Sequence, residues 1–185
     1  MADWELRPAS MADLEEIVEI RAVVMKADLE RLGRYDEHRV RQRLRDAYQP
    51  EHTWAIEVAG ALAGCVALRP ADDAYWLEHF LLVPELQGKG IGSAVLAGLL
   101  ERPDREGALT RLNVLQGSAA RRLYERYGFV LESEDEVDVY MVRTPPNHAP
   151  VNPVPADRTP TDRAPVNPLP ADRTPTDRAP ATRTP

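Results

Sequence analysis

Residues 78–100 read EHFLLVPELQGKGIGSAVLAGLL: an apolar run that stops at Pro84, a turn carrying three glycines, and then an apolar stripe of helical period. The stretch from Trp76 to Val83 is apolar almost throughout, the pattern of a strand covered on both faces. Pro84 cannot donate to a ladder and turns the chain away from its neighbour, which leaves backbone groups of Leu82 and Val83 open to a ligand. In Gln87-Gly88-Lys89-Gly90-Ile91-Gly92-Ser93 the three glycines permit close approach of a ligand and positive φ. Ile91, Val95 and Leu99, with Leu96 and Leu100, then recur at the spacing of one helix face. The N–H groups that open such a helix lack intrahelical partners and sit at the positive end of its dipole. A pyrophosphate is the natural guest, and Lys89 adds a full charge.

What the loop lacks narrows the choice of nucleotide. A kinase-type phosphate loop needs Gly-x-x-x-x-Gly-Lys-Ser/Thr, whereas Lys89 precedes the last two glycines with no Ser or Thr beside it, which argues against ATP and GTP. A dinucleotide fingerprint needs a glycine where Ser93 stands and an acidic residue in the next strand, and Arg111 to Leu115 offers none. The remaining pattern, Gln-x-x-Gly-x-Gly after a strand, resembles the acetyl-coenzyme A signature of the GCN5-related N-acetyltransferases (GNAT). The segment Gly117 to Phe129, with Ala120 and Leu123-Tyr124-Glu125-Arg126-Tyr127-Gly128-Phe129, is similar to the second signature of that family, in the right order. The resemblance covers most of residues 1–145. It implies an α/β fold with a mixed, mostly antiparallel sheet, a central parallel strand pair and helices on both faces. It also implies transfer of an acetyl group from acetyl-coenzyme A to a primary amine by direct attack. The rival from another class is a non-catalytic acyl-coenzyme A sensor or interaction module.

The chain has 185 residues, 29% charged and 43% hydrophobic, a composition that suits one soluble domain with a sizeable core. No apolar run approaches the roughly 18 residues a membrane span needs, and Met1 to Glu5 has no signal-peptide character, so the expected compartment is the cytoplasm and no membrane partner is expected. A net charge of −7 argues against nucleic acid as a partner. Homodimer formation is left open. Cys65 sits in an apolar strand pattern and reads as core filler rather than a nucleophile. His38, His52, His79 and His148 show no ligand spacing, so no metal is expected.

Glu5 to Pro8 reads as an opening strand, and Ser10-Met11-Ala12-Asp13 as the cap of a helix whose apolar face is Leu14, Ile17, Val18, Val24 and Met25. Glu30 to Tyr35 reads as a loop and Asp36 to Tyr48 as a second helix. Trp54, Ile56 and Val58, then Leu62, Gly64, Val66 and Leu68, alternate about Ala59-Gly60 as a hairpin. Arg102 to Gly107 reads as a charged loop, Leu109 to Leu115 as a strand, Ser118 to Tyr127 as a helix stopped by Gly128, and Phe129 to Glu132 with Val137 to Arg143 as a last hairpin. Beyond about residue 145 the composition changes. APVNPVPADRTPTDR (149–163) is repeated at 164–178 with one substitution, and 10 of the chain's 17 prolines lie in 149–185. No apolar periodicity exists there to bury, so residues 146–185 are expected to be a disordered Pro-rich tail of 15-residue repeats.

Acyl transfer needs a docked donor, a neutral amine, an oxyanion donor and an acid for the leaving thiolate. Docking falls to Gln87 through Ser93, with Leu82 and Val83 pairing with the pantetheine arm as an added strand would, and one of their N–H groups holding the oxyanion. Tyr124 stands at the family's acid position, and a phenol of pKa about 10 can protonate a thiolate. A packing tyrosine is the plainer alternative, and Tyr127 reads as core. A primary amine near pKa 10.4 needs about 4–5 kcal/mol to lose its proton at pH 7. Glu78 is the candidate base, directly or through water, sharing a face with Phe80 and Leu82; a salt-bridged structural Glu is the alternative, and His79 is the weaker candidate. Where the family commonly has Asn, Gly117-Ser118 stands here, and Ser118 can cap the helix and offer a hydroxyl to the cofactor. The acceptor is a small-molecule or peptide amine. Glu30, Asp36, Glu37, Asp72, Asp73 and Glu132 to Glu136 hint at a cationic one, although a solvated acidic surface explains them more simply.

Overall fold

A computed structural model of the chain describes residues 3–72 and 74–146; the repeat tail lies outside the described residues. The elements run β1 (Trp4–Pro8), α1 (Leu14–Arg31), α2 (Glu37–Ala47), β2 (Thr53–Val58), β3 (Ala61–Pro70), β4 (Ala74–Leu82), α3 (Ile91–Glu106), β5 (Leu109–Leu115), α4 (Ala120–Arg126), β6 (Val130–Glu134) and β7 (Asp138–Arg143). Among the described residues the strands form one sheet in the order β1-β2-β3-β4-β5-β7-β6. All neighbours are antiparallel except β4 and β5. That parallel pair requires a crossover, and α3 supplies it.

Local chemistry explains the boundaries. Ser10 and Asp13 close a capping box over a helical turn that leads into α1. The Asp36 carboxylate accepts the Arg39 N–H at 2.7 Å and starts α2. Ala59 and Gly60 both take left-handed φ, the geometry of a two-residue hairpin turn matching strand twist. Gly128 has φ 85° and ends the α4 region.

The sheet divides the core. On one face Val95, Leu96, Leu99 and Leu100 of α3 and Tyr124 of α4 pack on Val66, Leu77, Leu112, Val139 and Met141. On the other, Ile17, Val18 and Ile20 of α1 and Leu44 of α2 cover Cys65 and Leu81.

The charged stretch 102–107 is helix rather than loop: α3 continues to Glu106 and ends at Gly107, φ 67°. Pro103 removes one helical donor, but its ring is buried and the turn around it is tied down by side chains. Arg143 of β7 grips both Asp104 oxygens and donates from Nε to the Tyr127 carbonyl at 2.8 Å. Arg102 pairs with Glu106, which also accepts the Tyr75 hydroxyl. Tertiary partners outweigh local propensity here.

Arg143 is 9% exposed and joins β7, α3 and the end of α4. Arg143→Ala is expected to destabilise the fold by about 3 kcal/mol, the usual cost of breaking a buried pair from one side. Urea unfolding checks this, and the double variant with Asp104→Asn is expected to lose less than the sum of the single losses.

Candidate active site

β4 and β5 pair only at Ala74–Leu109, Tyr75–Thr110 and Trp76–Arg111. Beyond Trp76 the two strands part, and the gap between them opens toward the start of α3. The cause lies in β4 itself. Its register on β3 runs from Ala67–Glu78 to Cys65–Leu81, so β4 holds one residue more than β3 across the same interval. This is a β-bulge, which bends the strand and raises its twist. His79 lies in the bulge with φ 49°, a left-handed value that histidine adopts more readily than most side chains. Its carbonyl accepts the Cys65 thiol at 3.2 Å. Burial pushes that thiol up to about 12, so it stays protonated and able to donate.

The bulge corrects the facing expected for Glu78. Tyr75 and Leu77 before it, and Phe80 and Leu82 after it, point to the α3 and α4 side, whereas Leu81 points to α1. Glu78 therefore shares the α1 side of the sheet with Leu81, not the side of Phe80 and Leu82. Strict alternation fails because one residue is inserted. Both Glu78 carboxylate oxygens accept from Arg69 of β3, at 3.0 and 3.1 Å. Each oxygen keeps further lone-pair capacity for another donor.

The open backbone expected at the end of β4 is not found at Val83. The Val83 N–H donates to Ala63 at 2.9 Å, and its carbonyl accepts from Leu86 at 3.0 Å, so Val83 is not an open strand edge. Pro84 turns the chain one residue later than the pairing with β3 ends. By the two-residue repeat, Leu82 directs its N–H and C=O to the opposite edge, into the gap. The Gln87 side chain donates to that Leu82 carbonyl at 2.8 Å and so braces the loop on the strand.

Gly88 and Gly90 have φ 72° and 86°, whereas Gly92 lies within the first turn of α3 with ordinary helical φ. A Cβ on Gly92 would sit 3.7 Å from Leu123 of α4 and 3.9 Å from Phe80 of β4, so loop, strand and helix converge there. From Gly88 to Ser93 no backbone N–H is bonded within the described residues. No acidic residue occupies the first turn. Six donors, the helix dipole and the exposed Lys89 together give this turn a positive potential.

On the same face Tyr124 is 6% exposed and packs edge-on against Phe129, centroids 5.8 Å apart. Burial pushes its phenol above the usual range, which keeps it protonated. Tyr127, by contrast, donates its hydroxyl to the Ser93 carbonyl at 2.7 Å and pins α4 to the loop. The Ser118 hydroxyl reaches the Ala120 N–H at 3.4 Å, a weak cap of α4. Beside it, Gly117 has φ 71°, and a Cβ there would lie 2.8 Å from the Arg31 guanidinium, which donates to the Gln116 carbonyl. A larger residue at 117 would displace Arg31.

Sequence reasoning missed Arg69 and the bulge. The signal for the bulge was the adjacent polar pair Glu78-His79 in an apolar strand, since two neighbours cannot both avoid the core without a break in register. No metal-binding cluster of His, Cys, Asp and Glu occurs among the described residues, and none of their helices is long and apolar enough to cross a membrane.

Comparison with solved structures gives the class first. The PaiA N-acetyltransferase of Thermoplasma acidophilum, solved in complex with coenzyme A, matches with a TM-score of 0.65 at 24% identity, over 77% of this chain and 99% of that one. The ribosomal-protein-S18-alanine N-acetyltransferase of Escherichia coli matches with a TM-score of 0.61 at 18% identity, over 77% and 94%. An N-acetyltransferase of Staphylococcus aureus matches with a TM-score of 0.57 at 20% identity, over 75% and 98%. At these identities the likeness establishes the fold. The acetyltransferase (GNAT) family pattern matches residues 15–129, so the chain belongs to that family and is an acyltransferase.

The buried bulge makes stability depend on pH. Burial, with Arg21 and Arg69 nearby, lowers the His79 imidazole to about 4. Between about pH 6.5 and 4 the unfolded chain holds a proton there that the folded chain refuses, so stability is full above pH 6.5 and declines as the pH falls toward 4. The loss is about 3 kcal/mol at most. His79→Asn, which tolerates left-handed φ, is expected to flatten this slope in urea unfolding at pH 7 and pH 4.5; an unchanged slope would assign it elsewhere.

Proposed function

We propose that this chain transfers the acetyl group of acetyl-coenzyme A to a primary amine by direct attack. The observation that carries the proposal is the run of unbonded N–H groups from Gly88 to Ser93 at the mouth of the gap between β4 and β5. Gln87, Gly88, Lys89, Gly90, Ile91, Gly92 and Ser93 hold the pyrophosphate. Leu82 offers its outward backbone to the pantetheine amides and to the thioester oxygen as negative charge develops on it. Val83 contributes the wall of the strand rather than a backbone bond, and Ser118 its hydroxyl beside the arm.

The amine nitrogen attacks the thioester carbon, the carbon–sulfur bond breaks, and the departing thiolate takes the phenolic proton of Tyr124. The proton lost by the amine passes to Glu78, directly or through water, using the carboxylate lone pairs that Arg69 leaves free. Arg69 meanwhile fixes the carboxylate in one orientation.

The engagement of both Glu78 oxygens by Arg69 favours a second reading, an acyl-coenzyme A binder without turnover. Thermal-shift titration of the full chain with acetyl-coenzyme A, coenzyme A, ATP and NAD tests the first requirement. Selective stabilisation by the coenzyme A species is expected, about 2.7 kcal/mol at a hundredfold excess over Kd. No shift from any of them would remove the cofactor assignment, and binding without release of coenzyme A in the presence of amines would favour the binder.

Two variants resolve the roles. Gly90→Glu places a side chain on left-handed backbone and a negative charge beside the phosphates, and is expected to abolish cofactor binding. Tyr124→Phe is expected to lower kcat by about 10²-fold or more with little change in acetyl-coenzyme A affinity; wild-type turnover in that variant would leave Tyr124 as packing alone.

A further inference from the structure

The last rung that β4 and β5 share, Trp76–Arg111, forms the floor of the gap. Glu78 and Asn113 each stand two residues beyond it, at the same level because parallel strands rise equally, about 3.3 Å per residue. The bulge falls after Glu78, so β4 is regular up to that point. The two side chains also share a face. Leu112 and Val114 pack in the apolar cluster of α3 and α4, whereas Leu115 packs on Ala22, Leu29 and Val40 of α1 and α2. By the two-residue repeat Asn113 points with Leu115, to the α1 side where Glu78 lies. Glu78 and Asn113 therefore flank the gap from opposite strands.

What Asn113 offers there is fixed by a third residue. Its Nδ2 donates to Asp138 Oδ1 at 2.9 Å. Asp138 belongs to β7, the neighbour of β5 on the edge away from the gap. The Asn113 Oδ1 accepts no hydrogen bond. Thr110 Oγ1 is the one buried side-chain polar atom without a partner among the described residues, so Asn113 Oδ1, which also lacks one, is open to solvent. Asp138 is 8% exposed, and its own N–H donates to the Asp135 carboxylate at 2.8 Å, so the support is itself held. An amide anchored by its nitrogen presents its oxygen elsewhere; unanchored, it can turn over and present a donor.

Both walls of the gap are thereby acceptors: the Glu78 carboxylate, which Arg69 leaves with spare lone pairs, and the Asn113 carbonyl. The matching guest is a nitrogen with two protons. A neutral primary amine gives one N–H to each wall and keeps its lone pair for the thioester carbon. As the carbon–nitrogen bond forms and the carbon–sulfur bond breaks, the proton on the Glu78 side passes to the carboxylate. The proton on Asn113 stays behind as the N–H of the amide product. A neutral secondary amine or an alcohol has a single proton, which Glu78 takes, and Asn113 Oδ1 is left without a donor.

We propose that Asn113 binds the acceptor and selects a primary amine over N-alkylated amines and alcohols, with Asp138 as the positioning residue that keeps the Asn113 carbonyl toward the gap. The inference rests on the acetyl-transfer reading above and concerns the acceptor side of the same site.

The test uses the full chain with acetyl-coenzyme A and acceptors in pairs that differ by one N-methyl group: butylamine against N-methylbutylamine, benzylamine against N-methylbenzylamine, and alanine against N-methylalanine. In each pair that reacts, the primary member is expected to exceed the methylated one by about tenfold or more in kcat/KM, the worth of one hydrogen bond. Asn113→Leu, which keeps the volume and loses the oxygen, is expected to bring that ratio close to one by raising KM for the primary member. Asp138→Leu is expected to do the same, and Asp138→Asn, which still offers an oxygen to Asn113 Nδ2, to restore most of the ratio. A ratio unchanged in Asn113→Leu, an equal loss for both members, or an Asp138→Asn variant as unselective as Asp138→Leu would overturn the proposal and leave the two residues as a clasp between β5 and β7. A readout without turnover separates this from failure of the transfer reading. With coenzyme A saturating, at least one of the three primary amines is expected to raise the melting temperature of the wild type and not that of Asn113→Leu. Equal rises in the two, or no rise with any of them, would overturn the amine cradle even where acetyl transfer is intact. A rise confined to the wild type, without transfer to any amine, would sink the transfer reading alone.

Discussion

One extra residue in β4 governs the arrangement of everything around it. A strand that paired in full with both neighbours would close the sheet and leave no backbone for a ligand. The bulge at His79 lets β4 keep its ladder to β3 through Leu82 while leaving β5 after Trp76. The parting of the strands opens the gap, turns the Leu82 amide into it, and brings Phe80 against Gly92 and Leu123, so that the first turn of α3 is seated at the mouth. Left-handed backbone at a non-glycine residue costs on the order of 1–2 kcal/mol. The Cys65 thiol bonded to the His79 carbonyl and the burial around it hold the bulge in place. Cys65, which reads from the sequence as filler, thereby has a specific task.

The two faces of the sheet divide the chemistry. The α3 and α4 side carries the larger apolar cluster with Tyr124, and the loop where six peptide donors and Lys89 stand together. The α1 side, beside the apolar cluster of Ile17, Val18, Leu44 and Leu81, carries Glu78 held by Arg69. In the proposed reaction a thioester arriving from one face and an amine from the other meet in the gap. The loop also lets a chain of net charge −7 present a cationic site to an anionic ligand. Many of its carboxylates are paired with arginines, while the peptide dipoles of the loop act locally, within a Debye length of about 10 Å.

Much of this was legible in the sequence because it rests on local rules. Glycine spacing and the period of Ile91, Val95 and Leu99 located the loop and helix, the cap at Ser10 to Asp13 located α1, and Ala59-Gly60 located the hairpin. The failures share a different cause. Whether Val83 is open depends on Ala63, twenty positions away in the chain, and whether residues 102–106 are helical depends on Arg143. The face of Glu78 depends on a register shift that no single strand encodes. Each is a tertiary choice imposed on a segment whose own preferences allow either outcome.

The costs gathered around the gap lie in different places from the contacts that offset them. Left-handed His79 and unbonded amides from 88 to 93 are both unfavourable in the free protein, and both border the same opening. Arg7 bridges Asp13 and Glu57 at the far edge of the sheet, with nitrogen–oxygen distances of 2.6 Å, and Arg143 ties three elements at the other end. The leucine-rich packing of α3 lies between. A bound polyanion would relieve the orphan amides, whereas neither salt-bridge cluster would gain anything from it. Strain that a ligand relieves and that distant packing sustains is the arrangement expected where stability has been conceded to binding.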